Sequence, residues 1–352
     1  MRITYLLEDA TGLWGGVKSV LEDANALATR GHRVCVVARS GPPAWLDLRC
    51  EFVQVPGFTA QHVPDSDLVV GTYFTTVPHA VLCGKGVPVH YCQGYEGDNP
   101  ETAPVRAQIE AVYRIPDTRK LTIARHLAQS LGQRFATPWT FVPYSIDDAV
   151  MTPGPQREPG AIVRVGLVGP YQVAWKDLPT GFAACELAAR AGLRLQLVRA
   201  TNTEPHPEEL KVSFPTEWHQ RVPPARMGEL YRTLDVFLGT SRGAEEGFFL
   251  PAVEAMACGV PCVLTDIPCF REHGRDGYAL FVPPRDPMAM AEALVVAARH
   301  PQVRRQLRRE ALAAAAQYTR ARHLDALERT FQALLPRPVH ETCAALPAPA
   351  AR

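Results

Sequence analysis

The residues best suited to chemistry lie in one stretch, Glu245-Glu246-Gly247-Phe248-Phe249-Leu250-Pro251-Ala252-Val253-Glu254, continuing to Pro261. Pro251 suits the first turn of a helix, where its missing N–H is not needed. Residues 252 to 258 are good helix formers, and Gly259 suits the position just past the end. The spacing predicts a helix from about residue 250 to 258, with Glu246 in the loop before it. The amides of Phe248, Phe249 and Leu250 then project from a helix start. That end carries partial positive charge and unpaired donors, which suit a phosphate. Glu254 lies about one turn inside the same helix. A carboxylate accepts hydrogen bonds from two adjacent hydroxyls, such as the 2′ and 3′ pair of a ribose, and Glu246 could do the same for a sugar. Glu254 is flanked by Ala-Val and Ala-Met-Ala, so it is either partly buried and paired or functional.

Other places offer weaker signals. Gly15-Gly16 follows the first apolar run and opens a helix, so backbone there can approach an anionic ligand closely. It is not G-x-G-x-x-G and does not argue for a dinucleotide. Gln93, Tyr95 and Glu96 follow a strand's carboxyl end, a place that faces a cleft, although a satisfied turn explains them as well. His90 lies within that strand and reads as a core histidine. Asp65-Ser66-Asp67 precedes the strand Leu68 to Thr72, at the end away from a cleft, and reads as turn acids. We therefore expect no metal ligands. Lys176, taken alone, is a solvated charge at a helix start.

The elements that position these groups alternate. Ile3 to Leu7, Arg33 to Ala38, Leu68 to Thr72 and Val87 to Cys92 are apolar strands, and Val17 to Arg30 has helical spacing closed by Gly31. Residues 151–160, rich in Pro and Gly, can hold neither a helix nor a central strand and read as a linker. The pattern then restarts: strand Val163 to Val168, helix Leu178 to Ala191, and strands Arg194 to Val198, Val236 to Gly239, Val260 to Thr265 and Leu280 to Val282. Residues 287–299 and 302–335 read as helices. The expected architecture is α/β, with two Rossmann-like parallel-sheet domains, 1–152 and 160–318, facing a central cleft. Residues 337–352 read as a flexible tail.

Composition agrees with two ordinary domains. The chain has 352 residues, 47% of them hydrophobic, with 37 basic against 36 acidic residues, so nothing calls for a nucleic-acid partner. Its nine cysteines form no CxxC pair and read as reduced, buried thiols of a cytoplasmic protein. No signal peptide or membrane span is read.

The stretch from Glu246 resembles the Glu-x7-Glu signature of family-four retaining glycosyltransferases of the GT-B fold, which read E-G-F-G-L-P-x-x-E-A-M-A-x-G-x-P-V. Phe249 stands where the second glycine is usual and is expected to crowd the sugar pocket. Thr265 to Pro268 and Glu272 to Asp286 resemble the close of such domains, and Met227 to Asp235 their preceding helix. Val168-Gly169-Pro170 through Lys176-Asp177 resembles the family's G-R-x…K-G segment, with Pro170 in place of the Arg. The turn Gln93-Gly94-Tyr95-Glu96 resembles the Q-x-Y-E turn of rhamnosyltransferase-like members.

The resemblance implies transfer of a sugar from a nucleoside diphosphate sugar, a co-substrate rather than a cofactor, to a sugar, lipid-linked or small-molecule acceptor. Glu246 and Lys176 would carry the catalysis. Gly16, Gly169, Lys176, Glu246, Gly247, Phe248, Phe249, Leu250 and Glu254 would bind the donor, with Arg199 or Arg242 standing in for the missing Arg. Gln93, Tyr95 and Glu96 become acceptor-side candidates. The resemblance also implies a last helix, 319–336, crossing back to the first domain, and leaves peripheral association with the inner face of a membrane open. A GT-B nucleotide-sugar epimerase and an inactive sugar-nucleotide-binding protein are the alternatives; a nicotinamide oxidoreductase lacks its glycine fingerprint.

Overall fold

The computed structural model describes residues 1–156 and 158–335; the expected tail, 337–352, lies outside the described residues. Two parallel sheets make up the framework. The first contains β1 (Arg2–Leu7), β2 (Arg33–Ala38), β3 (Glu51–Gln54), β4 (Leu68–Gly71), β5 (Val87–Cys92), β6 (Arg119–Thr122) and β7 (Thr140–Phe141), ordered β3-β2-β1-β4-β5-β6-β7. The second contains β8 (Val163–Val168), β9 (Leu195–Thr201), β10 (Thr216–Gln220), β11 (Val236–Gly239), β12 (Cys262–Thr265) and β13 (Ala279–Val282), ordered β10-β9-β8-β11-β12-β13. Central strands such as β1, β2, β4 and β11 are nearly continuous apolar runs because helices cover both faces.

The helices in chain order are α1 (Gly15–Thr29), α2 (Val77–Leu82), α3 (Arg106–Tyr113), α4 (Arg125–Phe135), α5 (Leu178–Arg190), α6 (Pro224–Arg232), α7 (Leu250–Ala257), α8 (Pro268–Arg271), α9 (Pro287–Arg299), α10 (Pro301–Ala315) and α11 (Arg320–Leu334). Strand–helix–strand order restarts at β8, so the chain builds two Rossmann-like halves. No helix among the described residues is long and apolar enough to cross a membrane.

The structure corrects one expectation about the elements. Residues 302–335 are not one helix but two, α10 and α11. The break contains neither Gly nor Pro. Its signal is Thr319, whose hydroxyl caps α11 by accepting from the Arg322 N–H. The break turns the chain so that α11 packs against α1 of the first half. There His323 bonds Asp23 at 2.8 Å and the Pro143 carbonyl at 2.6 Å. Arg30 pairs with Glu328 at 2.7 Å, and Leu327 and Phe331 are fully buried. One apolar cluster therefore runs from β1 through α7 to α11. Burial opposes charge on His323, but the Asp23 carboxylate and the Pro143 carbonyl outweigh it and raise the imidazole pKa.

Candidate active site

The carboxyl ends of both sheets open onto one cavity of about 730 Å³, within the range of small-molecule sites. Gly16, Gln93, Gly169, Lys176, Glu246, Gly247, Phe248, Phe249, Leu250 and Glu254 all line it. Tyr95 and Glu96 do not.

Helix α7 forms as its residue types require. Pro251 sits in its first turn, and Gly259 closes it in the left-handed region at φ +78°. Glu246 precedes it and is buried, 5% exposed. Its Oε2 accepts from Lys176 Nζ and from the Ser241 hydroxyl, both at 2.6 Å. Among the described residues no hydrogen bond reaches its other oxygen. The Lys176 ammonium also stands 4.5 Å from the centre of the Phe249 ring. Phe249 therefore lines the cavity and also supports Lys176. It is 4% exposed and packs against Phe237 and Phe270 with one face under Lys176.

Glu254 is likewise buried. Tyr231, fully enclosed, donates to its Oε2 at 2.8 Å. Its Oε1 faces Lys18 Nζ of α1 at 3.7 Å, across the cleft, and Lys18 also approaches Glu22 at 3.9 Å. Of the two carboxylates at the sequence's most informative spacing, one is therefore tied to a lysine of its own half and the other to a lysine of the opposite half.

Glycines set the closest approaches. A Cβ on Gly247 would stand 2.2 Å from the Gln93 carbonyl and 2.9 Å from Gly94 Cα, so only glycine lets this loop touch the β5 turn. Gly169 takes φ +130°, and its carbonyl accepts from Arg199 at 2.6 Å. Gln93 donates to the Gly16 carbonyl at 3.2 Å and accepts from Tyr144 at 3.2 Å, which fixes its amide between α1 and the cleft. The Phe248 ring packs on Tyr144 and Tyr318.

Three expectations are corrected. Arg199 cannot replace the absent Arg: it is fully buried and paired with Glu209 at 2.7 Å. Arg242 does not line the cavity. Tyr95 and Glu96 do not line this cavity, although Tyr95 lines a neighbouring one of about 620 Å³ together with Glu246. Tyr95 is 3% exposed, with its ring against Tyr113, Phe135 and the Arg134 guanidinium. The Glu96 carboxyl is enclosed, accepting from the Tyr113 hydroxyl and the Phe74 N–H, and burial pushes its pKa up to about 7. The sequence reading missed Lys18, Tyr231 and Ser241. None belongs to a spacing pattern, and only the fold brings each to a carboxylate. Outside the cleft, His90 is buried between the Tyr113 and Trp139 rings. Asp65 and Asp67 pair with Lys85 and Arg2.

The fold is that of known GT-B structures. Sucrose-phosphate synthase from Thermosynechococcus elongatus superposes with a TM-score of 0.77 at 15% identity, covering 95% of this chain and 98% of that one. Anabaena HepE in complex with UDP and glucose gives 0.75 at 14%, covering 95% and 100%. WaaG, a glycosyltransferase involved in lipopolysaccharide biosynthesis, gives 0.70 at 15%, covering 94% and 99%. No curated protein matches the sequence. Residues 163–300, which span β8 to α9 and include Lys176, Glu246 and Glu254, match the family described as Glycosyl transferases group 1.

Proposed function

We propose that the protein transfers a sugar from a nucleoside diphosphate sugar to an acceptor hydroxyl with retention of anomeric configuration. The observation that carries this reading is the convergence of the Lys176–Glu246 pair, the start of α7 and Glu254 in one cavity between two Rossmann-like halves. Neighbours of the same fold include one whose structure holds UDP and glucose.

The roles follow from donor and acceptor capacity. Lys176 has three N–H donors and uses one on Glu246, so two remain for diphosphate oxygens. The amides of Phe248 to Leu250 add partial positive charge where the leaving group gains negative charge. Glu246 keeps one oxygen for a hydroxyl of the transferred sugar, a positioning contribution. Glu254 takes the ribose hydroxyls. As the bond from the anomeric carbon to the diphosphate breaks, the acceptor oxygen bonds to that carbon and its proton passes to the departing diphosphate.

A thermal-shift screen against nucleoside diphosphate sugars tests the reading. A ligand present at about 100 times its Kd stabilises the native state by about 2.7 kcal/mol. A full panel that leaves Tm unmoved refutes it.

A further inference from the structure

Two large aromatic side chains, Trp14 and Tyr73, stand unusually exposed at 48% and 39%, and both line the donor cavity from the first half. Neither is loose. A Cβ at Gly12 would fall 2.5 Å from Trp14 Nε1, so the indole lies over the one residue type that admits it. Around it, Asn202 of the second half donates to the Leu13 carbonyl at 2.9 Å, and Trp45 donates to the Thr11 carbonyl at 3.0 Å. Tyr73 is held by its N–H to Thr76 and by the Phe74 ring at 4.8 Å. Well-fixed rings left open to water at a cavity mouth form a contact surface without a contact.

The charge around them is one-sided. Glu101 lines the same wall, and burial together with the Glu96, Glu8 and Glu101 carboxylates raises the Tyr73 phenol pKa. The one cation that the first half contributes to the lining, among the described residues, is Lys18, already committed to Glu254 and Glu22. Arg221 lies across the cleft on the second half, near Glu204. This wall can receive hydroxyls and C–H faces but has no cation to spare for a phosphate.

We propose that Trp14 and Tyr73 form the acceptor subsite and that the acceptor is an uncharged glycoside. Its C–H face lies on the aromatic faces, whose electron density is negative, while its hydroxyls donate to Glu101. This deepens the transfer reading above and rests on it. The acceptor hydroxyl oxygen bonds to the anomeric carbon of the donor, the carbon–oxygen bond to the diphosphate breaks, and the hydroxyl proton leaves on the diphosphate.

The test uses the full chain and two readouts. In the first, nucleoside diphosphate release is measured with the donor found by thermal shift, alone and with methyl α-glucoside, maltose, glucose 6-phosphate or fructose 6-phosphate. Uncharged sugars should stimulate release. Trp14→Ala and Tyr73→Ala should each raise the acceptor KM by about five- to tenfold, a larger change than in donor Kd, and Trp14→Phe should restore most of the loss. In the second, maltose is titrated against tryptophan fluorescence in the presence of UDP. A change is expected in the wild type and should be absent in Trp14→Phe. Stimulation by the phosphorylated sugars alone, by no uncharged sugar, or a wild-type KM in both alanine variants overturns the subsite. Failure of every donor to bind, with the maltose response intact, overturns the transfer reading instead.

Discussion

Replacing Glu254 by Ala separates binding from folding in a way the geometry makes quantitative. Without donor, two effects oppose each other. The fully buried Tyr231 hydroxyl loses its acceptor at 2.8 Å, which costs about 1–3 kcal/mol. Lys18 loses an attraction across 3.7 Å, about 4 kcal/mol at an effective dielectric of ~20 before desolvation. Removing both side chains from water cancels most of that. The net expectation is a loss of about 1–3 kcal/mol, or roughly 2–4 °C in Tm for each kcal/mol. With donor, two ribose hydroxyls lose an ionised acceptor worth about 1.5–3 kcal/mol each, so Kd should rise by at least about 100-fold. Glu254→Gln keeps an acceptor for Tyr231 and should recover most of the stability while donor affinity stays weakened. Calorimetric titration with the nucleoside diphosphate of the stabilising donor, alongside thermal melts, reads both. Inorganic pyrophosphate is the control, since it has no ribose and its affinity should not change. A folded Glu254→Ala protein with wild-type affinity refutes the assignment, and so does an equal loss for pyrophosphate.

Other perturbations test the remaining parts. Lys176→Met leaves Glu246 buried with only Ser241 as partner; stability should fall by about 3 kcal/mol and nucleoside diphosphate release by about 100-fold or more, read by melts and a release assay. Gly247→Ala drives a methyl into the Gln93 carbonyl, and should cost about 1–3 kcal/mol and lower turnover in the same assays. Phe331→Ala, at a fully buried position on α11, should cost about 3–5 kcal/mol and speed proteolysis in residues 151–160. Glu96 gives a pH signature. Its folded pKa of about 7 lies above the ordinary 4.5, so its protonated form is favoured in the folded protein. That stability is complete below about pH 4.5 and is lost as pH rises through about 7, by up to about 3 kcal/mol. Urea unfolding from pH 4 to 8 should show the decline, and Glu96→Gln should flatten it.

The central strands and the α7 helix were legible because burial on both faces demands unbroken apolar runs and because Pro251 and Gly259 mark a start and an end. Strands β3, β6, β7 and β10 were not. β3, β7 and β10 lie at sheet edges, and β6, although interior, reads Arg-Lys-Leu-Thr; neither it nor Thr-Glu-Trp-His-Gln carries a continuous apolar signal. The carboxylates of the site were legible from spacing, but not their partners. Lys18 sits on α1 as an ordinary polar-face residue, and only the approach of the two halves makes it the partner of Glu254. Glu96 failed in the opposite direction: a polar residue past a strand's carboxyl end was expected to face the cleft, yet the Tyr113 hydroxyl drew its carboxyl inward.

Pro170 and Phe249, the two departures from the pattern that the sequence resembles, both bear on Lys176. With Pro170 in place of the Arg and Arg199 consumed beneath the loop by Glu209, Lys176 is the cation that the β8 loop presents to the cavity. A single flexible lysine neutralises a diphosphate well only if its rotamer freedom is spent before the ligand arrives, because a side chain of that kind carries about 2 kcal/mol of conformational entropy. Here Glu246 and the Thr240 hydroxyl, which bonds the Lys176 carbonyl at 2.5 Å, hold its head and its backbone. The Phe249 face, 4.5 Å below the ammonium, supplies a third restraint that glycine could not. Under the proposed transfer, a single cation fixed in this way would already stand where the leaving group needs it.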